Sequence, residues 1–434
     1  MSSLNNGRIV CLLAPKREAK KWKNILEENK QFYKQIGIKN AKDRLSEDEV
    51  SVQGNFSDYI LLPTLFHKIE DINISSLLKD DSVQWVTVSL NKVDFVHKQS
   101  LQDRVLQFVR SVLEKGEITA SAYPIPSRFC VYGPMALLSS NSFSTKEWKQ
   151  FFEEQKGKET LTNLYKILCE EWKTTHLAIN DLIPTDDIMR RPCNLRPLFG
   201  NFGELVLKWP TQQDFDNAFW VHCRQNGIYQ CWAPRYTMFS RGNIVEKARL
   251  LSQPCIQGEF IADLYVGIGY FAFSYIHAGA KTVFGWEINP WSVEGLRRAA
   301  IQNGWTVCIV QHDEEYIHSP GTHQLVVFLE SNEFAESRLR KMNVNARHVN
   351  LGLLPTSKDS WKTAAHILSP TPKSTIHVHE NVASNEIVEL QNHLIETFSQ
   401  FLELKHLSCS IHPVKQFSPH VEHVVFDVVI QQNN

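Results

Sequence analysis

The sequence has no Cys-x-x-Cys pair; its nine cysteines are scattered from Cys11 to Cys409. That absence argues against a zinc module and fits reduced, buried thiols in a cytoplasmic protein. It has no run of about 18 apolar residues, so no membrane-spanning helix is expected. Its first residues, Met1-Ser2-Ser3-Leu4-Asn5-Asn6-Gly7-Arg8, lack the basic start and apolar core of a secretory signal. It also lacks a charge bias: Lys and Arg number 46 against 47 Asp and Glu, a formal charge of −1. Taken as an average, that balance speaks against nucleic acid. Apolar residues at 43% and charged residues at 21% exclude wholesale disorder. At 434 residues the chain is expected to form two or three folded units.

The average conceals an asymmetry. Residues 1–44 carry eleven Lys/Arg against Glu18, Glu27, Glu28 and Asp43, a balance of +7 that leaves −8 for the other 390. Such a segment is either a solvated face or a phosphate-contacting patch. Within it, 7–14 reads as a strand and 16–33 as a helix. Further strands are expected near 60–62 and 83–88, and helices over 101–114 and 161–171. Ser144-Thr145-Lys146-Glu147 resembles a capping box opening another helix. Residues 1–180 are therefore expected to be an α+β accessory region. Residues 181–254 are turn-rich and crowded with Trp209, Phe215, Phe219, Trp220, Tyr229, Trp232, Tyr236 and Phe239. Clustered aromatics mark either a core under loops or a base-stacking platform, and Arg224 and Arg235 among them keep stacking open.

From residue 255 onward strands and helices alternate, the pattern of an α/β, doubly wound sheet. Strands are expected over 261–266, 281–288, 305–311, 348–354 and 375–379. Helices are expected over 271–277, 290–302 and 386–404, with 334–345 as an inserted helical segment. Two closing β-rich runs, 406–413 and 421–431, suggest a terminal hairpin. The strongest local signal is Asp263-Leu264-Tyr265-Val266-Gly267-Ile268-Gly269-Tyr270-Phe271. Glycines where a strand turns into a helix let backbone approach a ligand that a side chain would strike. Glu287, twenty residues after Gly267, is placed to accept both hydroxyls of a ribose. Asp313 and Glu314 end the third expected strand. Gly267-x-Gly269-x-x-Ala272 also fits a dinucleotide fingerprint. Three features favour S-adenosylmethionine: Asp263 four residues before the first glycine, Asp313 placed for an adenine amino group, and the terminal hairpin.

Several motifs then become recognisable together. Tyr229-Gln-Cys-Trp-Ala-Pro-Arg-Tyr-Thr-Met-Phe239-Ser240-Arg241-Gly242-Asn243-Ile-Val-Glu246-Lys247-Ala-Arg249, the glycine turn, Trp286-Glu287-Ile288-Asn289-Pro290, Asn350-Leu-Gly-Leu-Leu-Pro355 and Ile376-His-Val-His379-Glu-Asn381-Val382 occur in order. They resemble the tRNA wybutosine-synthesising protein 2 family. The fungal form is the most similar, through Asp186-Asp187-Ile-Met-Arg-Arg-Pro and Asn194-Leu-Arg-Pro-Leu-Phe-Gly-Asn-Phe-Gly203. The resemblance implies a class I methyltransferase-like Rossmann fold with a mostly parallel seven-stranded sheet and terminal β-hairpin, occupying 255–434. It implies transfer of the 3-amino-3-carboxypropyl group of S-adenosyl-L-methionine to C7 of 4-demethylwyosine, the tricyclic guanine at position 37 of tRNA(Phe). Methylthioadenosine would be released, and no metal, membrane or obligate protein partner is implied. Cofactor contacts by position are Ser240, Lys247, Glu287, Asp313 and Glu314, joined by Asp263, Gly267 and Gly269 from the turn.

Relatives of the same fold methylate N1 of guanine 37, which is the alternative activity. N-methylating enzymes often carry Asn/Asp-Pro-Pro-aromatic after the fourth strand. Asn350-Leu351-Gly352-Leu353-Leu354-Pro355 has neither the double proline nor the aromatic, which disfavours that alternative. Lys247, Arg241 and Arg235 are candidates for the cation beside the methionine carboxylate. Asn381 and Arg235 are the candidate catalytic residues, Asn381 for orienting the target base. His377 and His379 share one strand face, as a base, a metal pair or hydrogen-bonded core histidines. Nucleotide 37 must be splayed from the anticodon loop, so aromatic and basic surfaces are expected to receive it. Removing residues 1–44 is expected to weaken tRNA binding and flatten its salt dependence.

Overall fold

The computed structural model describes residues 8–33, 36–45, 55–66, 68–72, 81–89, 99–113, 118–179, 195–404 and 406–431. The motif residues Asp186–Pro192 and Asn194 lie outside them. Two compact units emerge, Met1–Arg104 and Val105–Asn434. The chain thus divides near 104, not at the divisions expected near 180 and 254. Residues 105–254 pack in the same unit as the α/β sheet.

That sheet has strands β1 (Phe260–Asp263), β2 (Thr282–Trp286), β3 (Val307–Gln311), β4 (Leu325–Leu329), β5 (His348–Leu351), β6 (Thr375–Ala383), β7 (Leu407–Ser418) and β8 (Val421–Ile430). Their order is β3-β4-β2-β1-β5-β6-β8-β7. The first six run parallel, and β8 and β7 close the sheet antiparallel as a hairpin. The Rossmann-like α/β reading therefore holds with one correction: the sheet has eight strands, not seven. The additional strand is β4, Leu-Val-Val-Phe-Leu, buried at every position. Continuous apolar runs of this kind belong to strands covered on both faces. It escapes a strand-helix rhythm because residues 312–324 between β3 and β4 contain no helix, whereas parallel neighbours usually need one.

Helix Pro290–Gln302 has the bounds the sequence predicts, opened by the Asn289 side chain accepting from the Trp291 N–H at 3.0 Å, with Pro290 at its first position. A short helix, Trp361–Ile367, was not expected. Upstream, hairpin Val221–Gln225/Ile228–Trp232 turns through Asn226 and Gly227, with φ +51 and +79, as a primed two-residue turn requires. The hairpin lies directly on helix Pro290–Gln302 at Gly295, where a Cβ would come within 2.7 Å of the Cys231 carbonyl oxygen. The aromatic belt is mainly core. Trp232 and Tyr236 are buried, Tyr236 stacks on Trp291 at 3.7 Å, and Trp232 stacks on Phe239 at 4.5 Å. Trp209 is the exception, at 59% exposure. A second sheet, Phe129–Tyr132, Met135–Leu138, His176–Ile179 and Arg196–Phe199, carries helices Lys146–Glu154 and Glu159–Trp172 beside it in sequence. Thr145 caps the first of these helices, accepting from the Trp148 N–H at 3.3 Å.

In the unit Met1–Arg104 an antiparallel sheet runs in the order Lys39–Asn40, Tyr59–Pro63, Arg8–Pro15, Gln84–Ser89. Arg8–Pro15 is an interior strand, buried from Ile9 to Pro15. Val10, Leu12 and Ala14 pack with Trp22 and Leu26 of helix Ala19–Glu28, while Ile9, Cys11 and Leu13 pack with Phe56, Val86 and Val88. The basic segment is thus no detachable arm, and the helix expected over 16–33 is cut short at Glu28, where Asn29 and a left-handed Lys30 follow. Deleting 1–44 would remove the strand that both cores need. Charge reversal of the exposed Arg17, Lys20 and Lys21 to Glu is the informative test of an RNA contact. If they touch phosphate, the slope of log K against log salt falls by about 0.7–0.9 for each phosphate no longer neutralised. An unchanged slope assigns them to solvation.

Candidate active site

Chain reversals at the carboxyl ends of β1, β2 and β5 assemble the site. β1 has β2 on one side and β5 on the other, so the sheet's crossovers diverge there, the position where open α/β sheets bind ligands. Gly267 and Gly269 adopt φ +54 and +87, conformations that L side chains avoid. A Cβ on Gly267 would lie 2.8 Å from the Tyr270 ring and 3.8 Å from Glu287 Oε2, so the carboxylate borders the turn. Glu287 Oε1 accepts from the Asn289 N–H at 2.8 Å. Surrounding protein pushes the Glu287 carboxyl up to about 7, against backbone N–H groups of Asn289, Ile288 and Gly267 that pull it down. No cation forms an ion pair with it among the described residues.

Asp263 is fully buried, and burial pushes its carboxyl up to about 6. Its Oδ1 accepts from Asn350 Nδ2 at 3.0 Å and from the Tyr265 N–H at 3.3 Å. Asp263 Oδ2, Asn350 Oδ1, Asn381 Oδ1 and His379 Nε2 are buried without a hydrogen-bond partner. Buried polar atoms are normally satisfied, so four such atoms at the carboxyl side of three adjacent strands mark a ligand-facing surface.

Lys247 projects from helix Ile244–Leu251 and is almost fully buried. Its ammonium donates to Gln225 Oε1 and Gln230 Oε1, each at 3.0 Å, and lies 5.1 Å from the Phe239 ring centre and 5.5 Å from that of Tyr270. Burial among neutral partners lowers its pKa to about 7. Ser240 Oγ lies 3.2 Å from Asn243 Oδ1 and accepts from Lys415 Nζ at 3.4 Å. Tyr270, in the glycine turn, donates its hydroxyl to the Met238 carbonyl. The structure thus joins Ser240, Lys247 and the glycine turn through Phe239 and Tyr270. Arg241 points elsewhere, to Cys130 Sγ at 2.6 Å. Arg235 is partly exposed beside the buried Tyr236.

Asp313 and Glu314 are not brought beside Glu287. They are exposed and follow β3, the sheet's edge strand, which β4 separates from β2. The position next to Glu287 falls instead to Glu330, Ser331 and Asn332, after β4. Glu330 is buried and taken up by Arg338 at 2.7 Å and His312 at 3.1 Å. Arg338 also reaches the carbonyls of His312 and Glu314, tying the ends of β3 and β4 together. Asn332 donates to the Leu264 carbonyl at 2.9 Å, within the glycine-turn segment. The signal that could have located these residues is the fully apolar run 325–329 ended by an acid.

His377 and His379 do share a face, and the core reading describes His377. It joins His348 at 3.0 Å and Asp427 at 2.6 Å. Asp427 also takes Arg249 at 2.6 Å, and Arg249 returns to Glu246. Burial would raise Asp427, but the His377 charge and bonds from His412 and Arg249 hold it well below the usual carboxylate range. His379 pairs with His423 at 3.1 Å, and burial drives His379 well below its ordinary value, so it is neutral. Among the described residues no group of three His, Cys, Asp or Glu could hold a metal ion.

Residues 221–350 match the TRM5/TYW2 methyltransferase domain family. The chain is similar to tRNA wybutosine-synthesizing protein 2 of Schizosaccharomyces pombe, 47% identical, covering 97% of this chain and 99% of that one. Its fold is similar to that of a solved complex of aTrm5 with tRNALeu (TM-score 0.52, 16% identity, 97% and 100% coverage). A Pyrococcus horikoshii TYW2 structure in complex with MeSAdo is also similar (TM-score 0.51, 15% identity, 76% and 100% coverage).

Asp427→Ala leaves Arg249 and His377 without their shared acid. Urea unfolding is expected to show a loss of about 3–5 kcal/mol. Because the folded-state pKa of Asp427 is depressed, its stabilisation is present above about pH 4 and fades as pH falls further, so the variant's deficit should shrink in acid. A deficit constant from pH 7 to pH 3 would reject the charge-pair account.

Proposed function

The chain belongs to the tRNA wybutosine-synthesizing protein 2 family, and from that premise we propose that it moves the 3-amino-3-carboxypropyl group of S-adenosyl-L-methionine onto C7 of 4-demethylwyosine at position 37 of tRNA(Phe), releasing methylthioadenosine. The observation that carries this reading is the segment after β5. Asn350 holds the buried Asp263, and Gly352 packs so closely that a Cβ would lie 3.1 Å from the Phe271 ring and from Asn350 Nδ2. We read Gly352-Leu353-Leu354-Pro355 as the wall towards the base, and it lacks the proline pair and aromatic that suit N-methylation. A tRNA anticodon loop is the intended substrate, and the unpaired state of the eight described cysteines supports a reducing, cytoplasmic setting.

The sulfonium supplies three electrophilic carbons, and positioning alone selects which one faces the nucleophile. Glu287, at the end of β2, is placed to accept the two ribose hydroxyls. Gly267 and Gly269 let the turn close against the Tyr270 and Phe273 rings, where a Cβ would lie 2.8 and 2.6 Å away, and so fix the backbone that would border the ligand. Asp263 Oδ2, which has no hydrogen-bond partner among the described residues, would receive the ammonium end. Ser240 and Lys247 border the turn from the other side. The adenine edge, which the sequence motif would give to Asp313 and Glu314, is better met by Ser331 and Asn332, which neighbour Glu287. Asn381, at the carboxyl end of β6 with its Oδ1 free, suits the edge of the acceptor base, and Arg235 lies on the aromatic connector. No covalent enzyme intermediate is needed: C7 attacks the γ-carbon as the bond from that carbon to sulfur breaks and methylthioadenosine leaves, and C7 then gives up its proton to restore the aromatic ring.

Incubation with precursor tRNA and cofactor labelled separately in the methyl and carboxypropyl carbons decides the activity. Carboxypropyl label in tRNA is expected; methyl label would instead establish the guanine-37 N1-methyltransferase. A pH test reaches the site itself. Glu287 binds hydroxyls best when ionised, so cofactor affinity should rise between pH 6 and 8, by up to tenfold per unit below pH 7. Calorimetry on Glu287→Gln should abolish the rise; a wild-type slope in that variant would move the ribose contact elsewhere.

A further inference from the structure

Lys415 sits on the terminal hairpin, where β7 is irregular on both sides of it, with register shifts between Pro413 and Lys415 and between Gln416 and Ser418. Paired bulges re-aim a side chain, and this one is turned inward onto the Ser240–Gly242 turn. Its Nζ lies 3.4 Å from Ser240 Oγ. Gly242 makes the approach possible: a Cβ there would lie 2.5 Å from Lys415 Cδ and 2.7 Å from its Nζ.

Two chains of contacts link Lys415 to the glycine turn. In one, Ser240 follows Phe239, whose ring stacks at 6.4 Å on Tyr270. In the other, Lys415 pairs across the hairpin with His423, which bonds His379, whose ring lies 4.6 Å from Phe271. No carboxylate forms an ion pair with Lys415 among the described residues. The neighbouring cations are committed: Lys247 to two glutamines, Arg241 to Cys130, Arg249 to Glu246 and Asp427. A half-buried ammonium with one hydroxyl for company is costly unless an anion completes it.

We propose that Lys415, seated over Gly242 and steered by Ser240, binds the α-carboxylate of the S-adenosylmethionine aminocarboxypropyl chain and draws that chain towards the terminal hairpin, so that its γ-carbon faces the acceptor base. The inference rests on the cofactor site proposed above. It differs from the three cations suggested by the sequence motif, because Lys415 lies about 170 residues away along the chain and is brought in by the hairpin alone. Ser240 is the positioning residue for the ammonium.

Lys415→Met keeps the stem and removes the charge. Calorimetry with two probes reads the effect: S-adenosylmethionine, which carries the carboxylate, and methylthioadenosine, which lacks it. Loss of one charged hydrogen bond is expected to weaken S-adenosylmethionine roughly 10- to 100-fold and leave methylthioadenosine unchanged. Gly242→Ala, which displaces the lysine head without altering charge, should reproduce the selective loss, and the double variant should add little to it. Equal weakening of both probes would overturn the proposal in favour of a packing role. Unchanged cofactor binding with a shallower salt dependence for tRNA would overturn it in favour of a phosphate contact. If the wild-type protein bound neither probe, the cofactor site itself would fail, independently of Lys415.

Discussion

The hydrogen bond between Asn350 and Asp263 joins the carboxyl ends of β1 and β5, the two strands between which the sheet's crossovers divide. Everything at the site is arranged around that junction. The buried carboxylate pairs with no cation among the described residues; the Asn350 amide and the backbone N–H groups of Tyr265 and Ala272 hold it, and Oδ2 has no partner within hydrogen-bond distance. The glycine turn follows immediately on β1, and Gly352 follows immediately on β5. The turn glycines are held by their positive φ, and a side chain at Gly352 would press within 3.1 Å of the Phe271 ring. A bulkier pair of loops would close the opening that the unpaired oxygen faces.

The surrounding charges are distributed by a single logic. The acids Asp263 and Glu287 are pushed up by burial and have no basic partner among the described residues. Two bases near the glycine turn and the terminal hairpin, Lys247 and Lys415, are lowered by burial and given neutral oxygen partners. Elsewhere Arg249 bridges Asp427 and Glu246. A zwitterionic ligand with a cationic centre matches this division: the unpaired groups face it, and the paired groups hold the walls together. Such separation costs stability in the free protein and is characteristic of sites rather than cores.

Much of this was legible in the sequence where local signals were complete. Helix Pro290–Gln302 had a capping Asn, a first-position Pro and a closing Gly, so its bounds could be read directly. The glycine turn and Glu287 were fixed by strand-turn-helix spacing. β4 was not legible, since its five apolar residues are joined to β3 by a loop without helix or periodicity. That omission moved the expected acids to an edge strand and hid Glu330–Asn332. The basic segment misled for a different reason: charge composition counts side chains but ignores that Arg8–Pro15 alternates into two cores. Lys415 was invisible because no sequence rule brings a C-terminal hairpin lysine to a turn near residue 240. Only the bulged register does so.

The close approach at Gly295 bears on how this architecture can be divided. With no side chain there, the carbonyl of Cys231 rests on helix Pro290–Gln302, and Trp220 and Tyr236 cover Trp291 beside it. The aromatic hairpin is thus an outer layer of the α/β sheet, although a sequence reader would cut the chain between them. A fragment beginning at residue 255 would uncover that helix's apolar face and lose Lys247 together with its glutamine partners. Any transplant of this cofactor site onto another RNA-binding module must therefore carry the chain from the hairpin onward as one piece.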